Sequence, residues 1–319
     1  MLSDVLKAMN QLNNLRHKWV FMLILPFFGV IFLVIFSDIE KIIKLAKGVG
    51  FGIIFVVIVI SLIRPIIGGL RSSFTYRPIG NLTVVDGAKG YILSAYGSIF
   101  LPSTIGGDIF RIEHMKKCAG STRKDAFFVA SLERVVGLLC LFMLALGISF
   151  LDLPFRISTS WFLNVLLGII IGMCVIMMLI KKAGESSVFF QAVEYVKKYA
   201  TPFFIFCVFI LSFIFQCISL SVPVIVAYSL GGFDVATDIA LMTPIIAIFS
   251  TLPISIGGVG VRESGYVGMG SLVGIDNEIS FLCGLSLSVS IIISGLMGVL
   301  FQNELIEIRG RNLVTHESE

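Results

Sequence analysis

Six continuous apolar runs recur along the chain, at residues 19–36, 48–63, 126–150, 161–180, 203–230 and 279–301. Each is close to the length at which an α-helix crosses a hydrocarbon core of about 30 Å. Hydrocarbon offers no partner to backbone N–H and C=O groups, so only helices and closed barrels cross it. A barrel strand alternates apolar and polar residues, and these runs do not alternate, which excludes that class. The expectation is an all-α fold, a polytopic transmembrane helical bundle with about six full spans. Composition agrees: 14% of the 319 residues are charged, against about 25% in a soluble domain. The polar stretches between runs are too short for a soluble catalytic domain.

One phrase occurs twice in register. Leu101-Pro102-Ser103-Thr104-Ile105-Gly106-Gly107 is followed by Arg111, and Leu252-Pro253-Ile254-Ser255-Ile256-Gly257-Gly258 is followed by Arg262. Pro and paired Gly break helices, a hydroxyl replaces lost backbone partners, and Arg brings a permanent charge. Interrupted apolar segments at matching places in two halves point to the binding site of a transporter.

Basic residues favour the cytoplasmic side. Lys7, Arg16 and Lys18 place the N-terminus inside, ahead of a first span read as a retained anchor. Arg64, Arg71, Arg77 and Lys89 form one inside loop, and Arg111, Lys116, Lys117, Arg123 and Lys124 form the next. Both lie inside only if the chain between them enters the membrane and returns, with its turn at residues 103–107. The acidic segment 231–238 lies outside, and a second turn at 255–258 brings Arg309 and Arg311 back inside. The expected topology therefore adds two inverted re-entrant hairpins to the spans. It divides the chain into a cytoplasmic segment 1–18, a transmembrane domain 19–301 and a cytoplasmic tail 302–319. Lys41, Lys44 and Lys47 count against this topology, because it puts them outside; an interfacial helix with Asp38 and Glu40 accommodates them.

Charges at membrane depth are costly and need partners. Glu133 and Arg134 stand about two turns into the run that starts at Ala126. Neighbours on a helix point in different directions, so these two do not neutralise each other. Arg111 or Arg262 suits Glu133, and Asp108 or Glu263 suits Arg134. Asp108 is also placed to cap the returning helix, and Gln216 to join helices by hydrogen bonds. The six cysteines show no C-x-x-C spacing and argue for neither disulfides nor a metal site. His17, His114 and His316 are scattered, and no cofactor is implied. Helix N-termini at the two broken segments expose N–H groups to anions. With Arg111, Arg134 and Arg262 they suggest an anion site, for which a membrane lipid is the natural ligand.

Three ordered segments resemble the membrane region of the lysylphosphatidylglycerol synthase/flippase family. They are Leu101-Pro102 with Gly106-Gly107-Asp108 and Arg111; Leu132-Glu133-Arg134 with Gly137; and Pro253-Ile254-Ser255-Ile256-Gly257-Gly258 with Gly260, Arg262 and Glu263. The resemblance covers roughly residues 48–301. It implies a lipid flippase region acting in the inner (plasma) membrane. The family's cytosolic synthase domain is not expected here, since the chain ends at Glu319. Stand-alone members are often linked to envelope glycolipid or polysaccharide systems. The expected substrate-binding set is Ser103, Thr104, Gly106, Gly107, Asp108, Arg111, Glu133, Arg134, Ser255, Gly257, Gly258, Arg262 and Glu263. No nucleic-acid partner is expected; a homo-oligomer or envelope-assembly partners are compatible. The alternatives are a membrane-embedded transferase using Glu133, Asp108 or Glu263, and an accessory subunit of envelope polysaccharide assembly.

Overall fold

The computed structural model describes residues 39–100, 104–149, 201–251 and 258–301. Every regular element among them is helical: α1 Ile39–Gly48, α2 Phe51–Tyr76, α3 Val84–Phe100, α4 Thr104–Ala119, α5 Arg123–Ser149, α6 Pro202–Ser250, α7 Val261–Leu272 and α8 Asn277–Leu296. A 3-10 turn, Met297–Phe301, follows α8. Among the described residues, four segments are long and apolar enough to cross a membrane: Phe51–Tyr76, Arg123–Gly147, Pro202–Ser250 and Asn277–Phe301. The runs at 19–36 and 161–180 lie outside the described residues.

Local chemistry sets the helix starts. Thr83 accepts from the Asp86 amide at 3.1 Å before α3, and Thr201 accepts from the Phe204 amide at 3.2 Å before α6. Thr122 and Asp125 cap α5 reciprocally: the Asp125 amide donates to the threonine hydroxyl, and the Thr122 amide donates to the carboxylate.

The first correction concerns α2. The apolar run stops at Ile63, before Arg64-Pro65, yet the helix continues to Tyr76. Proline at 65 has no N–H for the Ser61 carbonyl four residues back. That carbonyl instead accepts from the Ser294 hydroxyl of α8 at 2.7 Å, the substitution by which membrane helices tolerate proline. Arg64 and Arg71 therefore belong to a helix long and apolar enough to cross a membrane, not to a basic loop.

The helix expected around Lys41, Lys44 and Lys47 is present as α1, which also carries Glu40 and whose Leu45 packs with Val49 against the large apolar core. Lys41 reaches Asp276 at 3.0 Å and Glu278 at 3.1 Å. Hydrogen bonds to those two carboxylates hold the Lys41 ammonium above its ordinary pKa. Asp38 lies outside the described residues.

Helices α3 and α4 run antiparallel, with Ser94 on Asp108 and the Asp86 carbonyl on His114. At Gly232 (φ 76°, ψ −163°) α6 breaks into two arms. Its second arm pairs with α7, with Tyr266 donating to Thr243 at 2.8 Å and Gly265 facing Ile246. The two pairs open toward opposite ends of the molecule. Tyr76, Leu82, Met115, Ala126 and Val129 form the core beside the open end of α3/α4. Val226, Ala236, Ile275 and Ile279, with Leu45 and Val49, form the core at the other end.

Helices α2, α3 and α4 meet with little between their backbones. A methyl group added at Gly87 would sit 2.7 Å from the Gly69 carbonyl oxygen, and one at Gly97 would sit 3.0 Å from the Gly107 Cα. Small residues allow such contacts in membranes, where helix packing relies on close van der Waals fit.

Candidate functional site

Helix α2 carries a polar stripe through the bundle. Ser61, Arg64, Gly68, Arg71, Ser72 and Thr75 recur at three- and four-residue steps, so they share one face. Of these, Arg64 and Arg71 reach a cavity of about 350 Å³ lined by α2 to α8. Five arginines line it, Arg64, Arg71, Arg111, Arg134 and Arg262, together with two carboxylates, Asp108 and Glu133.

Glu133 is fully buried, and four donors surround it. Ser72 donates at 2.9 Å, Tyr91 at 2.7 Å and Arg71 at 3.3 Å, and Arg111 forms a close ion pair with it. Arg111 also donates to Ser72 at 2.9 Å and lies over the Tyr91 ring, 4.1 Å from its centroid. Arg71 donates to Ser212 at 3.3 Å and stacks on Phe215 at 4.7 Å. One carboxylate thus serves two guanidiniums, whose charge is partly spread over aromatic faces. Arg134, one residue on, turns away and pairs with Asp108, which also accepts from Ser94 at 2.8 Å. Of the partners weighed from sequence, Arg111 stands at Glu133 and Asp108 at Arg134. Asp108 does not cap its helix, because α4 already begins at Thr104.

The second copy of the phrase is built differently. Gly258 (φ 82°) and Gly260 (φ 85°) take backbone conformations that disfavour a side chain. Arg262 is 5% exposed and donates to Ser288 at 3.3 Å. Glu263 accepts from Ser288 at 2.6 Å and from the Gly260 amide at 2.6 Å. Its carboxylate therefore caps its own helix and does not line the cavity. The Gly260 amide at that helix start is thereby occupied from within the chain.

Of the thirteen residues expected at a site, Asp108, Arg111, Glu133, Arg134 and Arg262 line the cavity. Gly107 packs on Ser94 and Ser98, and Gly258 lies beside the Arg262 guanidinium. Thr104 and Gly106 stand in the first turn of α4. Ser103, Ser255 and Gly257 lie outside the described residues. Arg64, Arg71, Ser72 and Tyr91 were not expected at the site. The spacing of the α2 stripe was the signal for the first three. Gln216 both lines the cavity and donates to the Gly137 carbonyl at 3.1 Å, joining α6 to α5. Away from the cavity, Asp86, His114 and Cys118 converge, with their ligand atoms within 4.8 Å of one another, although sequence spacing gave no hint of such a group.

Several apolar helices packed around a cationic cavity define a membrane-embedded class of protein. Within that class the chain is a member of one family: residues 21–296 match the lysylphosphatidylglycerol synthase TM region, and the protein belongs to it. No curated protein and no solved structure matches the chain.

Proposed function

We propose that the protein is a flippase-like transporter of an anionic or modified (aminoacylated or glycosylated) lipid, multi-pass in the inner membrane. The observation that carries this reading is the cationic cavity between two antiparallel helix pairs that open toward opposite ends. Helix α7 has 12 residues and rises about 18 Å, well short of a bilayer core. In our reading α3/α4 and the second arm of α6 with α7 are re-entrant hairpins, inverted with respect to each other, within a six-span bundle. Inverted halves around a midplane site are the architecture of alternating access. The head group occupies the cavity while its acyl chains stay in the bilayer, and the hairpins expose it to one leaflet and then the other.

The state of the acids favours transport over group transfer. A transferase needs a carboxylate able to take a proton at the reacting atoms. Glu133 is held by two arginines, Asp108 by Arg134, and Glu263 by a helix amide and Ser288. The family's description supports a lipid-related role.

The test is a reconstituted liposome assay that follows transbilayer movement of lipids with different head groups. Protein-dependent movement of at least one such lipid is expected; none across the panel would sink the reading. Topology is tested separately by cysteine labelling from outside intact cells, where positions next to Arg77 and Lys116 should both stay unmodified. Labelling beside Lys116 alone would mean that α3/α4 crosses completely.

A further inference from the structure

We infer that the cavity binds the phosphate of a net-anionic lipid head group between Arg64 and Arg262, and that it discriminates against a head group carrying added ammonium groups. The inference rests on the reading of the cavity as a lipid head-group site and narrows its ligand.

The five cavity arginines are not equivalent. Arg71 and Arg111 share Glu133, and Arg134 holds Asp108. Arg262 is buried with a single hydroxyl contact, Ser288, and forms no ion pair among the described residues. Arg64 lines the same cavity and has neither a hydrogen bond nor an ion pair among the described residues. A desolvated guanidinium without a counter-charge is unfavourable. Arg262 is in that position, Arg64 is partly exposed in the same cavity, and an anionic ligand would supply both with a counter-charge.

Among the described residues, five arginines against two carboxylates leave an excess of three positive charges in the lining, and two if Glu263 behind the wall is counted. A phosphodiester matches what the uncommitted pair offers, because the planar guanidinium presents two parallel N–H donors to two phosphate oxygens. Gln216, Ser219 and Thr251 add amide and hydroxyl groups to the same lining, which suits a hydroxylated head group. Depth matters as well. Arg64 lies midway along α2 (Phe51–Tyr76), about 20 Å from either end. A phosphate there has left the interfacial layer, as a lipid in transit must. An aminoacylated phospholipid such as a lysyl ester brings two ammoniums to one phosphate. It supplies no net counter-charge, and both lining acids are already taken.

The experiment uses the full chain purified in detergent, with Kd measured by ligand-dependent thermal stabilisation. The probes are dioleoyl phosphatidylglycerol, its lysyl ester, dioleoyl phosphatidylcholine and inorganic phosphate. Phosphatidylglycerol is expected to bind at least about tenfold more tightly than the lysyl ester or phosphatidylcholine. Arg64→Gln and Arg262→Gln should each weaken it about tenfold, the equivalent of one charge-assisted hydrogen bond. Equal affinity for phosphatidylglycerol and its lysyl ester overturns the discrimination, and this comparison needs only the wild type. Gln variants that stay monodisperse and bind like wild type remove the clamp. Inorganic phosphate binding as tightly as phosphatidylglycerol makes the ligand a free anion and overturns the lipid assignment. The liposome assay separates the two readings. Wild type that binds phosphatidylglycerol at the clamp but moves no lipid sinks transport alone. Lipid moved equally by wild type and both Gln variants sinks the clamp alone.

Discussion

Arg111 and Arg262 occupy the same place in a repeated phrase, yet their surroundings have little in common. Arg111 is tied to Glu133, to Ser72 and to the face of Tyr91. Arg262 has Ser288, and the acid next to it in sequence is spent on its own helix end. The repeat therefore determines where each guanidinium arrives, while neighbouring helices decide whether it is neutralised there. One half is a locked electrostatic knot; the other leaves a charge available.

The widest gap between the halves should appear at their glycines. At Gly107 an added side chain would run into the Ser94 carbonyl and the Ser98 hydroxyl, whereas at Gly258 it would meet the Arg262 guanidinium at 2.6 Å. Main chain cannot yield, but an arginine side chain can. Gly107→Leu should abolish recovery of monodisperse protein on size exclusion. Gly258→Ala should remain foldable and lose about 1 kcal/mol through its positive φ. Equal recovery of the two would mean that α3 and α4 are not packed backbone to backbone.

Next come the acids. Glu133→Gln leaves Arg71 and Arg111 uncompensated in a buried site and should cost about 3–5 kcal/mol. Glu263→Gln keeps a hydrogen-bonding oxygen for its cap and should cost about 1–3 kcal/mol. Unfolding in detergent ranks them, and the reverse order breaks the contrast between the halves. A smaller effect belongs to Asp108 and Arg134, whose guanidinium side chain is 32% exposed. A double-mutant cycle with Asp108→Asn and Arg134→Gln should return a coupling of about 1 kcal/mol or less. Smallest of all is Lys41→Gln, which removes the ion pairs of a half-exposed lysine with Asp276 and Glu278 and should shift the melting temperature by no more than a degree or so. A clear drop would make α1 a structural brace.

Much of this was legible before any coordinates. Apolar runs pointed to spans, but the first glycine pair was read as a helix break, whereas Gly106 and Gly107 lie within α4 (Thr104–Ala119) and Gly107 packs on Ser94 and Ser98. Glu133 and Arg134 were recognisable as buried charges needing separate partners. The α2 segment was misread because Arg64-Pro65 looks like an end when taken locally. Its continuation depends on Ser294, which is 233 residues away from the carbonyl it rescues. No window along the chain contains that pairing. The capping role of Glu263 was missed for a different reason: it was weighed as a partner for Arg134 and as a site acid, and only the turn geometry at Gly260 shows the carboxylate facing backward.

The glycine contacts along α2, α3 and α4 have a mechanical consequence. Where backbones touch directly, no rotamers remain to be exchanged, so Gly69 against Gly87 and Gly97 against Gly107 behave as a stiff plate. The opposite wall, α5 on α6, is joined by side chains such as Gln216 on Gly137 and Cys140 on Phe209. Compliance in this molecule is therefore one-sided. Under the transport proposal, swelling of the cavity around a lipid would be taken up by the wall that has side chains to rearrange, with the glycine plate as its stiff reference.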